Sequence, residues 1–213
     1  TGNHHNPEFH MLEWYRSFAD WSHGVQDTKN VICHVTQALT GSLTMPGWRE
    51  PIHLEGSWES LSIREAILRW AGFDPYPYED VERLQHLGAE AGVRFSPSEN
   101  QSQDLLVRIL VEKVEPALPL DRPTVLTHYP TCMASLAQQS PTVEGTAERF
   151  EVYLGGLELA NGFGELTDPK EQEDRLYKDL KERAELGLPA YPIDERFLDA
   201  LRVGMPPSVG VAM

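Results

Sequence analysis

The sequence predicts an α+β fold in which an antiparallel sheet is flanked by helices. One observation is a strand–turn–strand segment: residues 150–154 are apolar and aromatic, 157–160 return, and Gly155-Gly156 between them tolerate positive φ. The other is an alternation of strands and capped helices without the regular spacing of βαβ crossovers. With 213 residues, of which 40% are apolar, the chain is expected to form one packed domain over 1–213.

The hairpin brings acidic side chains onto one face. With the two glycines as its turn, Tyr153 is predicted to pair with Glu158 and Glu151 with Ala160, and paired residues share a face. Two carboxylates on one face repel unless a cation lies between them, and Mg²⁺ accepts oxygen ligands and usually arrives with phosphates. A solvated outer surface is the alternative. The segment 161–165 favours a ligand site, because it adds an amide, an aromatic ring and a third acid between glycines.

Six helices are predicted from apolar residues at helical spacing and from residues typical of helix ends. Ser62 and Glu65 form a capping box, and Asp168-Pro169 combine an N-cap with a proline at the first helical position. We assign the helices between 62 and 114 to the scaffold. The predicted helices span 20–39, 62–71, 79–91, 100–114, 168–186 and 194–203.

Three further strands are predicted outside the hairpin, over 10–16, 124–129 and the last residues from 208. The first alternates, with Met11, Glu13 and Tyr15 on one face. A glutamate and a tyrosine there form either a recognition wall for a cationic ligand or an ordinary strand surface. The glycines and prolines of 41–56 predict an irregular segment.

Charge and composition narrow the partners. A formal net charge of −15 argues against broad binding to a nucleic-acid backbone, although it leaves room for a local basic pocket. Cys33 and Cys132 lack metal-ligand spacing, so we expect free thiols. The sequence shows neither a signal peptide nor an apolar run of membrane-spanning length, so we expect a cytoplasmic protein without a membrane partner.

Separated motifs resemble class II lysyl-tRNA synthetases. Residues 5–15, His-Asn-Pro-Glu-Phe-His-Met-Leu-Glu-Trp-Tyr, resemble the second half of motif 2. Residues 150–168 resemble the strand pair that binds magnesium and the amino acid, and 204–213 the lead-in to motif 3. The resemblance implies a class II aminoacyl-tRNA synthetase-like antiparallel sheet flanked by helices, as a truncated catalytic core.

Within that superfamily the sequence is more similar to the elongation factor P–lysine ligase family. Trp14 and the stretch Ala-Ser-Leu-Ala-Gln at 134–138 match that family, and Ala160 stands where lysyl-tRNA synthetases usually have glycine. By the predicted register the Ala160 methyl faces the acidic pocket. A difference of one methyl group is worth roughly 1–3 kcal/mol, enough to change the preference between α-lysine and a β-amino acid isomer.

The resemblance also implies roles for individual residues. The chemistry would be attack of the amino acid carboxylate on the α-phosphate of ATP, followed by transfer to a lysine side chain of elongation factor P, with no residue assigned as acid or base. Glu151 and Glu158 would hold Mg²⁺. The implied lysine-binding residues are Glu13, Tyr15, Ala160, Asn161, Phe163 and Glu165, and the implied ATP-binding residues are His5, Phe9, Glu151 and Glu158.

Other interpretations stay open at this stage. The chain could belong to a lysyl-tRNA synthetase that charges tRNA, to a non-catalytic paralogue that binds lysine or ATP, or to a class II core without a ligand site. The alanine at position 160 and the negative net charge argue against tRNA as the substrate. Relative to the family pattern the chain lacks motif 1, the start of motif 2 and the end of motif 3. We therefore expect a fragment that is inactive alone, from a protein that forms homodimers when complete.

Overall fold

The computed structural model describes residues 8–213. Its β-strands within that range are β1 (Glu13–Ser17), β2 (Thr44–Met45), β3 (Ile52–His53), β4 (Glu59–Ser62), β5 (Thr124–Pro130), β6 (Thr146–Leu154), β7 (Leu157–Gly164) and β8 (Ser208–Ala212). The α-helices are α1 (Trp21–Thr40), α2 (Ile63–Trp70), α3 (Val81–Glu90), α4 (Ser102–Ile109), α5 (Pro169–Glu185) and α6 (Glu195–Val203).

Six strands form one sheet in the order β1-β8-β7-β6-β5-β4. Neighbouring strands are antiparallel except β4 and β5, which are parallel. The predicted α+β class is confirmed, with one parallel pair added. Strand β4 was not predicted, because its four residues, Glu-Ser-Leu-Ser, carry too little apolar alternation to indicate a strand. Strands β2 and β3 pair separately, in the segment expected to be irregular.

The helix ends follow the local sequence signals. Asp20 accepts hydrogen bonds from the backbone of Ser22 and His23 at the start of α1, and Gly41 ends that helix with φ of 76°. The capping box of Ser62 and Glu65 opens α2 as predicted. The helix predicted over 100–114 is shorter in the structure. Helix α4 ends at Ile109, and the chain continues as a π-helical turn over Leu110–Val114.

Helices cover the sheet on both sides but leave part of one face open. On one side, α1 crosses β7, β6 and β8, where Gly24 lies so close to the sheet that a Cβ would collide with Val209 and crowd Phe150. On the other side, the cluster built by α2, α3 and α4 covers side chains of β5 and β6, including Tyr129 and Tyr153. The same face of β7, β8 and β1 stays accessible, and Tyr15 there is 67% exposed.

The register of the hairpin differs from the prediction at one position. Tyr153 pairs with Glu158 as predicted, but Val152 then pairs with Ala160 and Glu151 with Asn161. A bulge in β7 skips one residue, and a slip of one residue moves the following side chains to the other face. The predicted pairing of Glu151 with Ala160 is therefore wrong, and Asn161 takes the place beside Glu151.

Two smaller expectations concern the whole described chain. Within residues 8–213, no helix has both the length and the apolar composition needed to cross a bilayer. Both cysteines are free thiols, as expected from their spacing.

Candidate amino acid and nucleotide site

Strand pairing assembles polar side chains in rows across the open face of the sheet. Ala212 of β8 pairs with Glu13 on one side and with Asn161 on the other. Two residues further along the strands, on the same face, Gly210 pairs with Tyr15 on one side and with Phe163 on the other. Because paired residues share a face, side chains from strands distant in sequence meet at this surface.

These rows line a cavity of about 180 Å³. The cavity is smaller than the roughly 300–1,000 Å³ typical of sites for drug-sized ligands, so it suits a ligand the size of an amino acid. It brings together five of the six residues predicted to bind lysine. Its lining comprises Glu13, Tyr15, Leu136, Asn161, Phe163, Glu165, Gly210, Val211 and Ala212.

Gly210 allows two polar side chains of this cavity to lie close to β8. A Cβ at position 210 would collide with the Glu165 carboxyl group and would also lie 2.8 Å from the Tyr15 ring. Sequence reasoning missed this residue, since the glycine in Ser-Val-Gly-Val-Ala reads as an ordinary interruption of a strand. Its lack of a side chain makes room for the Glu165 carboxyl group and the Tyr15 ring beside β8.

The polar groups of the small cavity favour a cationic ligand. Burial raises the pKa of Glu165 to about 7. The nearby carboxylate of Glu165, partial burial and the charge of Glu13 all raise the pKa of the Tyr15 hydroxyl. The Asn161 Oδ1 atom is buried and has no hydrogen-bond partner among the described residues. A buried acceptor without a partner is costly, so this oxygen leaves a polar group unsatisfied beside the cavity.

A second cavity of about 310 Å³ adjoins the first and shares Asn161 and Ala212 with it. It brings together Phe9 and Glu158, both predicted to contact ATP. Phe9 is 69% exposed, so its ring is available for stacking. His5, the other residue predicted near the phosphates, lies outside the described residues. The cavity is lined by Phe9, Met11, Glu158, Leu159, Ala160, Asn161, Ala212 and Met213.

The two acids predicted to hold magnesium lie on the same face, but their surroundings differ. Glu151 is only 5% exposed; Arg149 Nη2 donates to its Oε1 at 2.6 Å and the Tyr153 hydroxyl donates to its Oε2 at 2.8 Å. Glu158 is exposed, yet partial burial of its carboxyl group and repulsion from Glu151 raise its pKa to about 7. The pair therefore carries negative charge that its protein surroundings only partly offset.

A third acid, Glu115, was missed because it directly follows the helix predicted over 100–114 and precedes a proline, where the sequence indicates only the end of an element. It follows the π-helical turn, and burial together with the charge of Glu151 raises its pKa. Even so, no three His, Cys, Asp or Glu side chains among residues 8–213 converge to hold a metal ion. A pair of carboxylates is what Mg²⁺ commonly uses when phosphates supply the other oxygens.

Ala160 does not lie where its predicted role requires. The bulge turns its methyl group away from Glu151 and into the buried cluster with Phe150 and Val152, and the residue is 2% exposed. Ala160 borders the second cavity rather than the small one. The argument that its methyl reshapes the amino acid pocket on the face of Glu151 is therefore wrong.

We expect Ala160→Gly to lower the free energy of unfolding by about 1 kcal/mol and to leave the preference between lysine isomers unchanged. The reason is that the deleted methyl packs below the sheet. Urea unfolding and a competition assay between isomers measure the two effects. Ala212→Gly is the matched control: it deletes a methyl that lines both cavities, and we expect it to alter the preference. A changed preference in Ala160→Gly alone would contradict the observed register.

The burial of Glu165 predicts a pH dependence of stability. The unfolded chain ionises this carboxyl near pH 4.5, whereas the ligand-free folded protein holds the proton up to about pH 7. The folded state therefore loses stability relative to the unfolded state as the pH rises from about 4.5 to 7. Urea unfolding at intervals over this range should show that fall weakened in Glu165→Gln and retained in the surface control Glu144→Gln. An identical fall in both variants would contradict the burial of Glu165.

Comparison with known proteins identifies the class to which this sheet and its cavities belong. Residues 1–213 match the family of class II tRNA synthetases (D, K and N), and the chain belongs to that family. It is also 41% identical over 214 residues to the elongation factor P–(R)-β-lysine ligase of Proteus mirabilis (strain HI4320). That alignment covers all of this chain and 60% of the relative, so the chain spans about three fifths of that protein's length.

These findings confirm the predicted class II synthetase fold and the resemblance to the elongation factor P–lysine ligases. They do not bear on the individual site residues, whose roles stay predictions. The structure brings together Glu13, Tyr15, Asn161, Phe163 and Glu165 around one cavity, and Phe9 with Glu158 around the next.

Proposed function

We propose that this chain supplies the substrate-binding core of an ATP-dependent ligase. The enzyme activates lysine or (R)-β-lysine as an adenylate and transfers the acyl group to a lysine side chain of elongation factor P. One observation carries the proposal: a small cavity lined by two carboxyl groups, a phenol and an amide adjoins a larger cavity that contains an exposed aromatic ring and an acid. The similarity to a ligase with that name supports the choice of substrates.

The small cavity would hold the amino acid through its ammonium groups. Glu165 is half-buried, and a charged hydrogen bond to an ammonium group is stronger there than at the surface. Ligand binding would favour the ionised form of Glu165, because an adjacent positive charge lowers the pKa of a carboxyl group. Glu13, Tyr15 and Asn161 supply further acceptors, and Phe163 forms an apolar wall.

The larger cavity would hold ATP. Phe9 would stack on the adenine ring. Glu151 and Glu158 would hold Mg²⁺, which when bound neutralises phosphate charge and orients the phosphates. The fit rests on the charge of the two acids. Burial and repulsion from Glu151 raise the pKa of Glu158, and a divalent cation would relieve that repulsion.

The reaction needs orientation more than proton transfer. A carboxylate oxygen of the amino acid forms a bond to the α-phosphorus while the bond to pyrophosphate breaks. The acceptor amine then attacks the acyl carbon, loses a proton and displaces AMP. Because the attacking carboxylate is already ionised, the first step requires no general base. The two cavities share Asn161 and Ala212, so substrates bound in them would lie next to each other. Such placement accounts for much of the rate in reactions of this type.

A lysyl-tRNA synthetase is the second candidate, since the matched family includes lysine enzymes. The net charge of −15 favours a protein acceptor over tRNA. We also propose that the complete protein is cytoplasmic and homodimeric.

Mass spectrometry of the acceptors tests the proposal directly. The full-length protein is incubated with ATP, Mg²⁺, elongation factor P, tRNA and either lysine isomer. We expect one lysyl group on elongation factor P and none on tRNA. Charging of tRNA alone would select the synthetase, and binding of lysine without modification of either acceptor would select the non-catalytic paralogue.

A further inference from the structure

Arg149 makes contacts with both parts of the site, although neither the predicted roles nor the proposed reaction includes it. Its Nη2 donates to Glu151 at 2.6 Å, and its Nη1 donates to the backbone oxygen of Met133 at 2.7 Å. Its guanidinium group also lies 4.6 Å from the ring centre of Tyr129 and 5.7 Å from that of Phe163. One cation thus contacts an acid proposed to hold magnesium and a wall of the cavity proposed to hold lysine.

The surroundings of Arg149 hold it in one orientation. Its side chain is only 19% exposed, and the carboxyl partner, Glu151, is buried. A guanidinium group is planar, so it can stack between two rings while its edges donate in fixed directions, which a lysine ammonium cannot do. These contacts are directional, and moving the guanidinium group would disturb Glu151 and Phe163 together.

The backbone contact extends this influence to a third wall. Met133 ends the short 3-10 turn Thr131–Met133, and Leu136 three residues later lines the small cavity. Ser135 between them has a φ of 54°, a conformation that a non-glycine residue adopts only where its surroundings enforce it. The Arg149 hydrogen bond is one of the contacts that hold this segment against the sheet.

We propose that Arg149 is a positioning residue that orients Glu151 and the ring of Phe163 at the same time, and so sets both the magnesium–nucleotide side and the amino acid side of the site. This inference rests on the proposed function, because it assigns one ligand to each side. It predicts a combined defect: loss of the guanidinium group weakens binding of the amino acid and of ATP with Mg²⁺.

Arg175 offers a matched control. It is 24% exposed, its Nη1 donates to the backbone oxygens of Ser135 and Ala137 at 2.9 and 2.8 Å, and it pairs with Glu171. It therefore secures the same segment as Arg149, but no contact joins it to Glu151 or Phe163 in the described chain. A defect caused only by loosening of the segment would appear in variants of either arginine.

The experiment compares Arg149→Lys with Arg175→Lys in the full-length protein. Pyrophosphate exchange gives KM for the amino acid and for ATP, and calorimetric titration with the amino acid alone gives an affinity that does not depend on turnover. We expect Arg149→Lys to raise both KM values and to weaken amino acid binding, each by about tenfold, the size of one charged hydrogen bond. We expect changes below about twofold for Arg175→Lys, because the contacts of Arg175 reach neither Glu151 nor Phe163.

Rescue by a small cation separates positioning from general damage. In Arg149→Ala, guanidinium ion at millimolar concentration should recover at least part of the lost amino acid affinity, whereas Arg175→Ala should not respond. If Arg149→Ala does not fold, Arg149→Lys still decides the question through its two KM values.

Three results would overturn the inference: a rise in only one of the two KM values, equal defects in both lysine variants, or unchanged amino acid affinity in Arg149→Lys. Failure of the proposed function itself looks different, because the parent protein would then show no pyrophosphate exchange with either lysine isomer.

Discussion

Glu158→Gln in the full-length protein is expected to lower the rate of adenylate formation by about 100-fold or more. The amide keeps the size of the carboxyl group but removes the charge that would hold Mg²⁺ against the phosphates. Since Glu158 is exposed and is repelled by Glu151, the substitution should not lower the free energy of unfolding. Single-turnover measurement of the adenylate, with urea unfolding alongside, tests both statements.

Glu115→Gln is the control for this substitution. Glu115 belongs to the same group of mutually repelling acids, because Glu151 raises its pKa as well, but it lines a different cavity, at the Gly155-Gly156 turn. If a general change in negative charge sets the rate, the two variants will behave alike. If Glu158 holds the cation, only Glu158→Gln will lose activity. Unchanged adenylate formation in Glu158→Gln would remove its metal role.

Glu165→Ala is expected to raise KM for the amino acid by about 100-fold and to change KM for ATP little. The half-buried carboxylate is the acceptor that a ligand ammonium group would meet in the small cavity. Its removal leaves that cation without a counter-charge in a partly dry site. Calorimetric titration with lysine and with β-lysine measures the loss without any need for turnover.

Glu13→Gln is the comparison for the second prediction. Glu13 lines the same cavity but is exposed, so solvent screens its charge and its substitution should cost only a few-fold in affinity. An effect of Glu165→Ala confined to ATP would contradict the assignment. Equal losses in the two variants would show that total negative charge matters more than the buried position.

Much of the fold could be predicted because its signals are local. The cap residue Asp20, the capping box of Ser62 and Glu65 and the glycine pair at 155 and 156 all act within a few residues of themselves, and each ends or begins an element where expected. The strand alternation of 11–15 likewise put Glu13 and Tyr15 on one face, and both line the small cavity.

The errors share another cause. The bulge in β7 turns the Ala160 side chain to the face opposite that of Glu151. The turn glycines could not reveal this bulge, because it lies within the paired strands and not in the turn. The role of Gly210 depends on Tyr15 of β1 and on Glu165, which follows β7. Arg149 gains its importance from Tyr129 and Met133, which belong to a strand and a turn earlier in the chain.

By itself the sequence determined the order and type of most elements, the turn of the hairpin and the acidic, aromatic residues of the open face, since these follow from short-range backbone preferences and side-chain alternation. Only the tertiary structure decided which face of the sheet Ala160 occupies, how far the pKa of Glu165 rises and which groups the Arg149 guanidinium contacts. Those properties depend on distances and burial among residues far apart in the chain, and no local pattern encodes them.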